Sequence, residues 1–219
     1  MTQTITMIDY GGSNLRSVQK AFEAVGAAVV VSADPETIRR APRLVLPGVG
    51  AFGTGISALR ARGLEPAIQE AVQRGAPLLG ICLGMQFLFR ESHEMGRHPG
   101  LNLLPGQVLR FPTNPPHDPG ALHAPHAAPR TLKIPHMGWN QIEHDGAHPL
   151  LRDVPGGAHT YFVHSYYCAP DRAEDVLAHT AYGITFAAIV GHENIFGIQF
   201  HPEKSQKRGL QILRNFSAI

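Results

Sequence analysis

Residues 77–89, PLLGICLGMQFLF, place Cys82 between Gly80 and Gly84 in the form G-x-nucleophile-x-G, after an apolar run and before a helix-like one. This is the pattern of a strand that turns sharply into a helix and lifts the middle side chain above a sheet. Glycine suits both flanking positions because a Cβ at either would crowd so tight a bend. A helix starting after Cys82 directs backbone N–H groups and its positive dipole end at the sulfur, which favours thiolate. An isolated cysteine is more often a small buried core residue, but strand, glycines and helix together favour a nucleophile. A nucleophile needs a base. In IFGIQFHPEKS the apolar stretch 195–200 ends at His201, with Glu203 two positions on. Residues i and i+2 of extended backbone project to one side, so Glu203 is placed to orient one ring nitrogen of His201 while the other faces the thiol. The expected order is Cys, His, Glu.

The glycine-rich PGVGAFG at 47–53 formally contains G-x-G-x-x-G. A dinucleotide fingerprint normally closes the first strand of a βαβ unit, whereas this one closes the third, and Pro47 directly precedes it. Its better use is as a turn whose backbone N–H, at Val49, joins that of Leu83 in an oxyanion hole. His117, His123 and His126 fit no ordered metal-ligand spacing and lie among helix and strand breakers. Cys168, in YYCAP, lacks a glycine elbow and reads as structural.

The elements that must hold these residues follow from periodicity. Short apolar runs at 5–9, 27–31, 43–48 and 77–82 read as strands of a parallel sheet. Between them, 15–25 carries Leu15, Val18, Phe22 and Val25 on one helical face, and Asp34-Pro35 opens a short helix. Residues 56–74 are helical with a break near Gly63 and Pro66, and a helix is expected from Cys82 to about Ser92. VLRF, KIPHMGWNQI, TYFVHSYY, VLAHTAY, FAAIV and IFGIQF read as antiparallel strands added in the second half, and 206–216 as a closing amphipathic helix. The prediction is an α/β fold: one doubly wound domain over 1–219, with ligands beyond the carboxyl ends of the strands. A Pro- and His-rich flexible loop is expected at 112–130.

Composition narrows the function classes. With 43% hydrophobic and 16% charged residues and no apolar run near about twenty, a soluble protein without a membrane helix is expected. The start MTQTITMIDYGG lacks the features of a secretory signal, so the expected compartment is the cytoplasm, with both cysteines as thiols. A net charge of +2 with scattered Lys and Arg lacks the footprint of a nucleic-acid binder.

With PGVGAFG, GICLGMQ and FHPEKS together, the chain resembles the class I glutamine amidotransferases. DYGGSNL, PHMGWN, YFVHSYY and Lys204 resemble, more narrowly, the members that serve a cyclase in histidine biosynthesis. The resemblance implies a glutaminase with the triad Cys82, His201 and Glu203, an oxyanion hole at Val49 and Leu83, and glutamine held by Gly50, Gln86, His164, Ser165 and Tyr166. It implies no metal and no cofactor. The implied partner is a cyclase subunit with a (β/α)8-barrel fold, met in a heterodimer through Asn14, Met137, Trp139, Asn140 and Lys204. The family's early turn usually reads DYGxGNL, and Ser13 replaces its second glycine here. A glutaminase for another synthase and a non-catalytic interaction protein on the same fold remain the alternatives.

Overall fold

The computed structural model describes residues 4–12, 14–114 and 131–219. In the first half β1 (Thr4–Ile8), α1 (Leu15–Ala24), β2 (Ala28–Ser32), α2 (Pro35–Arg39), β3 (Leu44–Gly48), α3 (Phe52–Ala61), α4 (Leu64–Gln73), β4 (Leu78–Cys82) and α5 (Leu83–Phe87) follow one another. The second half contains β5 (Phe89–Ser92), β6 (His98–Pro99), β7 (Leu104–Arg110), β8 (His136–Ile142), β9 (Ala158–His164), β10 (Tyr166–Pro170), β11 (Val176–Ala181), β12 (Thr185–His192) and β13 (Ile195–Ile198). Helix α6 (Gln206–Ala218) closes the chain.

The central sheet has the order β11-β12-β13-β4-β3-β1-β2. Its inner strands are apolar at successive positions because both faces are covered. Leu44, Leu46 and Leu78 join one core with Phe52, Ile56 and Phe87, while Val45, Leu79 and Ile81 join another with Phe22 and Phe216. Helix α1 therefore buries Val18, Ala21 and Phe22, and Phe22 meets Phe216 of α6 edge to face at 6.3 Å. Asp34 caps α2 by accepting from the backbone N–H of Thr37 at 2.9 Å.

The α/β class and the doubly wound core are as expected, with four particular differences. The helix after Cys82 stops at Phe87, and Phe89–Ser92 becomes β5, paired parallel to β7 and antiparallel to β6. Its apolar spacing suited a helix, but pairing partners distant in sequence draw it into a strand. The second-half strands do not all extend one sheet: β10-β7-β5-β6 form a second sheet, and β8-β9 a two-stranded ribbon. Strand β13 runs parallel, not antiparallel, to β4, which brings the end leading to His201 beside the end that carries Cys82. Finally, the 56–74 helical stretch begins earlier, at Phe52, and breaks at Gly63 (φ 66°). Pro66 sits within the first turn of α4, where a missing N–H costs nothing. Most of the expected 112–130 loop, together with its three histidines, and Ser13 lie outside the described residues. Among the described residues no helix is long and apolar enough to cross a membrane.

Gly84 in α5 and Gly26 between α1 and β2 yield a stability contrast. A Cβ on Gly84 would overlap the carbonyl oxygen of Leu46 in β3, and no rotamer relieves it, whereas a Cβ on Gly26 (φ 90°) would meet nothing within 4 Å. Gly84→Ala is expected to destabilise by at least about 3 kcal/mol, and Gly26→Ala by only about 1–2 kcal/mol of backbone strain. Urea unfolding of the two variants checks the order.

Candidate active site

Strand β4 delivers Cys82 at its carboxyl end with φ 55° and ψ −110°, a conformation few non-glycine residues adopt. A Cβ on Gly80 would lie 2.5 Å from the carbonyl oxygen of Gly84, so the bend itself excludes a side chain there. At Gly84 the obstacle is the neighbouring strand β3, not the bend alone. Helix α5 starts at Leu83, directly after the sulfur-bearing residue. Cys82 is 6% exposed, so the thiol sits at the floor of a recess and not on an open surface.

His201 follows β13 with its backbone N–H donating to Tyr161 O at 2.9 Å. Pro202–Lys204 forms a 3-10 turn, not extended backbone, yet the pairing inferred from the spacing is present: His201 Nδ1 and Glu203 Oε1 are 2.8 Å apart. Both side chains are almost wholly buried. Asn14 Nδ2 donates to the same Glu203 oxygen at 2.8 Å, which ties the acid to the start of α1. His201 Nε2 is buried without a hydrogen-bond partner of ordinary geometry. Burial alone lowers the pKa of this ring, but the interaction with Cys82, and then that with Glu203, outweigh it and raise it to about 10. Burial likewise opposes ionisation of Glu203, and the hydrogen bond and charge of His201 reverse that and lower its pKa. The resting state this favours is an imidazolium between a carboxylate and the sulfur.

A cavity of about 310 Å³ opens over Cys82 and His201, lined also by Val49, Gly50, Leu83, Gln86, Glu94, Pro135, Val163, His164, Ser165 and Tyr166. Every residue expected to touch glutamine or its oxyanion is in that wall. Gln86, 5% exposed, donates to Tyr166 O at 3.2 Å and to Gln199 Oε1 at 3.4 Å, which fixes its amide. Burial lowers the pKa of His164 to about 3. Tyr10 packs against Gly48 with its hydroxyl buried, and burial, then the charge of Cys82, raise its pKa. Larger hollows of about 760 and 520 Å³ lie around His148 and around Trp139, but neither contains a nucleophile beside a base.

Sequence reasoning missed three wall residues. Pro135 and Val163 lie inside the motifs PHMGWN and YFVHSYY and could have been found there. Glu94 belongs to no motif and reaches the cavity because β5 leads the chain back to it; its Oε2 accepts from Phe52 N at 2.6 Å. Of the residues expected at a partner surface, Met137 is 61% and Trp139 49% exposed, and Trp139 meets Tyr161 edge to face under the Lys204 ammonium. Asn14 and Asn140 engage their side-chain amides in hydrogen bonds within the chain, to Glu203 and to Ala181. Cys168 is a buried free thiol 3.9 Å from Gln199 Oε1, and burial raises its pKa well above the ordinary value.

A strand-elbow cysteine, a histidine just past the adjacent strand and its buried carboxylate, on an α/β sheet, have the geometry of a thiol hydrolase or acyltransferase site. The family model for glutamine amidotransferase class-I matches residues 6–218, and the chain belongs to that family. It is 50% identical over 214 residues to a Salinibacter ruber protein named imidazole glycerol phosphate synthase subunit HisH, covering 98% of this chain and 94% of the relative. A Geobacter sulfurreducens protein of the same name is 47% identical over 215 residues, covering 98% of each chain. Among solved structures, one described as a glutamine amidotransferase superposes with a TM-score of 0.71 at 18% identity, over 98% of this chain and 99% of that one. A chain of PurLQS from Thermotoga maritima gives a TM-score of 0.68 at 18% identity, over 99% of this chain and 98% of that one. At those identities the solved structures speak for the fold.

The raised His201 pKa carries a signed consequence. The ring holds its proton more tightly folded than unfolded, so its contribution to stability is complete below pH 6.5 and is lost as pH rises through about 10. In Cys82→Ala the leading proton-favouring partner is gone. His201 is then expected to titrate at least about one pH unit lower, as followed by the imidazole resonances in NMR.

Proposed function

We propose that the protein is the glutaminase subunit of imidazole glycerol phosphate synthase, acting in the cytoplasm as one half of a heterodimer with a barrel-shaped cyclase in histidine biosynthesis. The observation that carries this reading is the full-length identity of about half to the subunits of that name, joined to a Cys82–His201–Glu203 constellation at one cavity. The Cys82 thiolate attacks the side-chain amide carbon of glutamine, and the backbone N–H groups of Val49 and Leu83 receive the developing oxyanion. His201, protonated at rest, gives its Nε2 proton to the departing nitrogen as the C–N bond breaks, releasing ammonia and leaving a glutamyl thioester on Cys82. The now neutral ring takes a proton from water, whose oxygen attacks the thioester; glutamate leaves and the thiolate–imidazolium pair returns. Glu203 keeps the ring in the tautomer and orientation both steps need.

The cavity wall divides the remaining work. Gly50, Gln86, His164, Ser165 and Tyr166 hold the substrate, and the Glu94 carboxylate supplies an anionic site of the kind a substrate ammonium group requires. Ammonia in bulk water at neutral pH is mostly ammonium and a poor nucleophile. Delivery through a dry passage to a docked cyclase removes that loss, and the exposed Met137, Trp139 and Lys204 beside Tyr161 form an apolar and cationic face suited to such docking. Wasteful hydrolysis is avoided if the oxyanion peptide at Val49 adopts its active orientation only with a substrate-loaded partner.

A glutaminase assay tests this with and without the cyclase and its nucleotide substrate. The loaded complex is expected to turn over glutamine at least about a hundredfold faster than the free protein, and Cys82→Ala to abolish turnover in both. Full activity of the free protein, unchanged by the loaded partner, would refute the coupling.

A further inference from the structure

Behind the cavity wall runs a line of hydrogen bonds that the triad chemistry does not use. Asn140, His136 and Gly138 share one face of β8, opposite Met137 and Trp139. His136 pairs directly across the ribbon with His164 of β9. Asn140 Nδ2 lies 3.2 Å from His136 Nε2, His136 Nδ1 is 3.1 Å from His164 Nε2, and His164 Nδ1 is 2.8 Å from Tyr166 O. That carbonyl also accepts from Gln86 Nε2.

The direction of every bond is determined from both ends. Asn140 Oδ1 accepts from Gln141 N at 2.8 Å and its Nδ2 donates to Ala181 O at 2.9 Å, so the amide has one orientation and offers His136 only a donor. His136 Nε2 must then accept, which leaves its proton on Nδ1, pointing at His164 Nε2. At the far end the Tyr166 carbonyl can only accept, so His164 carries its proton on Nδ1 and accepts at Nε2. The two deductions meet without conflict only if both rings are neutral, since a second proton on either would set donor against donor. Burial enforces that state, lowering His136 to about 4 and His164 to about 3, and the nearby His201 charge further disfavours a cation at His164. His136 is clamped between Phe162 and Tyr182, stacked at 4.7 and 4.1 Å, so the ring cannot turn to trade its nitrogens without breaking both stacks.

We propose that His136 is a positioning residue for glutamine: the one-way chain from Asn140 through His136 locks His164 as the Nδ1–H tautomer and thereby holds the Tyr166 carbonyl and Gln86 in the cavity wall. Without the His136 donor the Tyr166 carbonyl alone holds the proton on Nδ1, and nothing at Nε2 any longer opposes a form with the proton there. A lone pair then faces the Tyr166 carbonyl, the two repel, and the 165–166 segment and Gln86 lose their common anchor. This inference rests on the glutaminase reading for its substrate, but its tautomer needs none.

The test has two parts. NMR of protein with isotope-labelled histidine is expected to show His164 neutral with its proton on Nδ1; an Nε2–H form overturns the proposal. Steady-state kinetics then use the complete complex with the cyclase and its nucleotide substrate. His136→Phe, which keeps the stacking, is expected to raise KM for glutamine about tenfold while kcat stays within about threefold. His136→Asn, whose amide NH2 replaces the Nδ1 donor, is expected to bring KM back to within about threefold of wild type. Unchanged KM in the Phe protein, an equal loss in kcat, or an Asn protein no better than the Phe protein each overturns the proposal. If the Phe protein does not fold, Asn140→Ala decides: it leaves the ring in place and must raise KM in the same direction, and an unaltered KM counts against the chain. Absence of glutamine turnover in the wild-type complex with the Nδ1–H form present would defeat the glutaminase reading and not the tautomer lock.

Discussion

At Cys82 the chain leaves β4 with φ 55° and turns at once into α5, so close to β3 that the Leu46 carbonyl occupies the space where a side chain on residue 84 would be. A backbone held in such a region costs roughly 1–3 kcal/mol and persists only when its surroundings over-determine it. They do so here. Strand β4 is buried along its whole length between β3 and β13, and α5 is buried at all five of its residues. The same close approach places the sulfur at a helix start, Leu83 N–H beside it, and the glycine turn after β3 within reach of one small cavity.

The second half of the chain supplies what a nucleophile lacks alone. By running parallel to β4, β13 carries His201 to the carboxyl end of the sheet, and a single 3-10 turn brings Glu203 back to its ring. Asn14, from the far end of the chain, holds the carboxylate, so the His201–Glu203 pair is anchored to the start of α1 as well as to the 3-10 turn. Burial makes each charge in this group unfavourable in isolation; together they stabilise one another, which is why the imidazole keeps its proton up to about pH 10 while its carboxylate stays ionised.

The rest of the cavity wall is built differently. Its framework is neutral and hydrogen-bonded, made of Gln86 and of His164 paired with His136, with the Glu94 carboxylate beside it. The aromatic cluster of Phe111, Phe162, Tyr182 and Phe186 around His136 and His164 keeps water from competing for those bonds.

Much of this was legible in the chain because it depends on local spacing. Gly80 before the cysteine at the end of an apolar run is a local steric requirement of the elbow, whereas Gly84 is required by the distant β3 carbonyl, and a histidine followed at i+2 by glutamate marks the orienting pair. Apolar runs separated by amphipathic stretches specify a doubly wound sheet. What local spacing does not contain is which distant partner a segment meets. Phe89–Ser92 has helix-compatible periodicity and becomes a strand because β7 and β6 lie alongside it. IFGIQF runs parallel to β4 because its neighbour in the sheet, with Leu78 opposite Ile195, comes from far earlier in the chain. Glu94 enters the cavity only through that same β5 excursion, and no local pattern signals it. Asn140 reads as a surface residue, yet its amide is committed to Ala181 and His136. Pairing energy between remote strands and the hydrogen-bond demands of buried polar groups are properties of the assembled fold, and only the tertiary structure decides them.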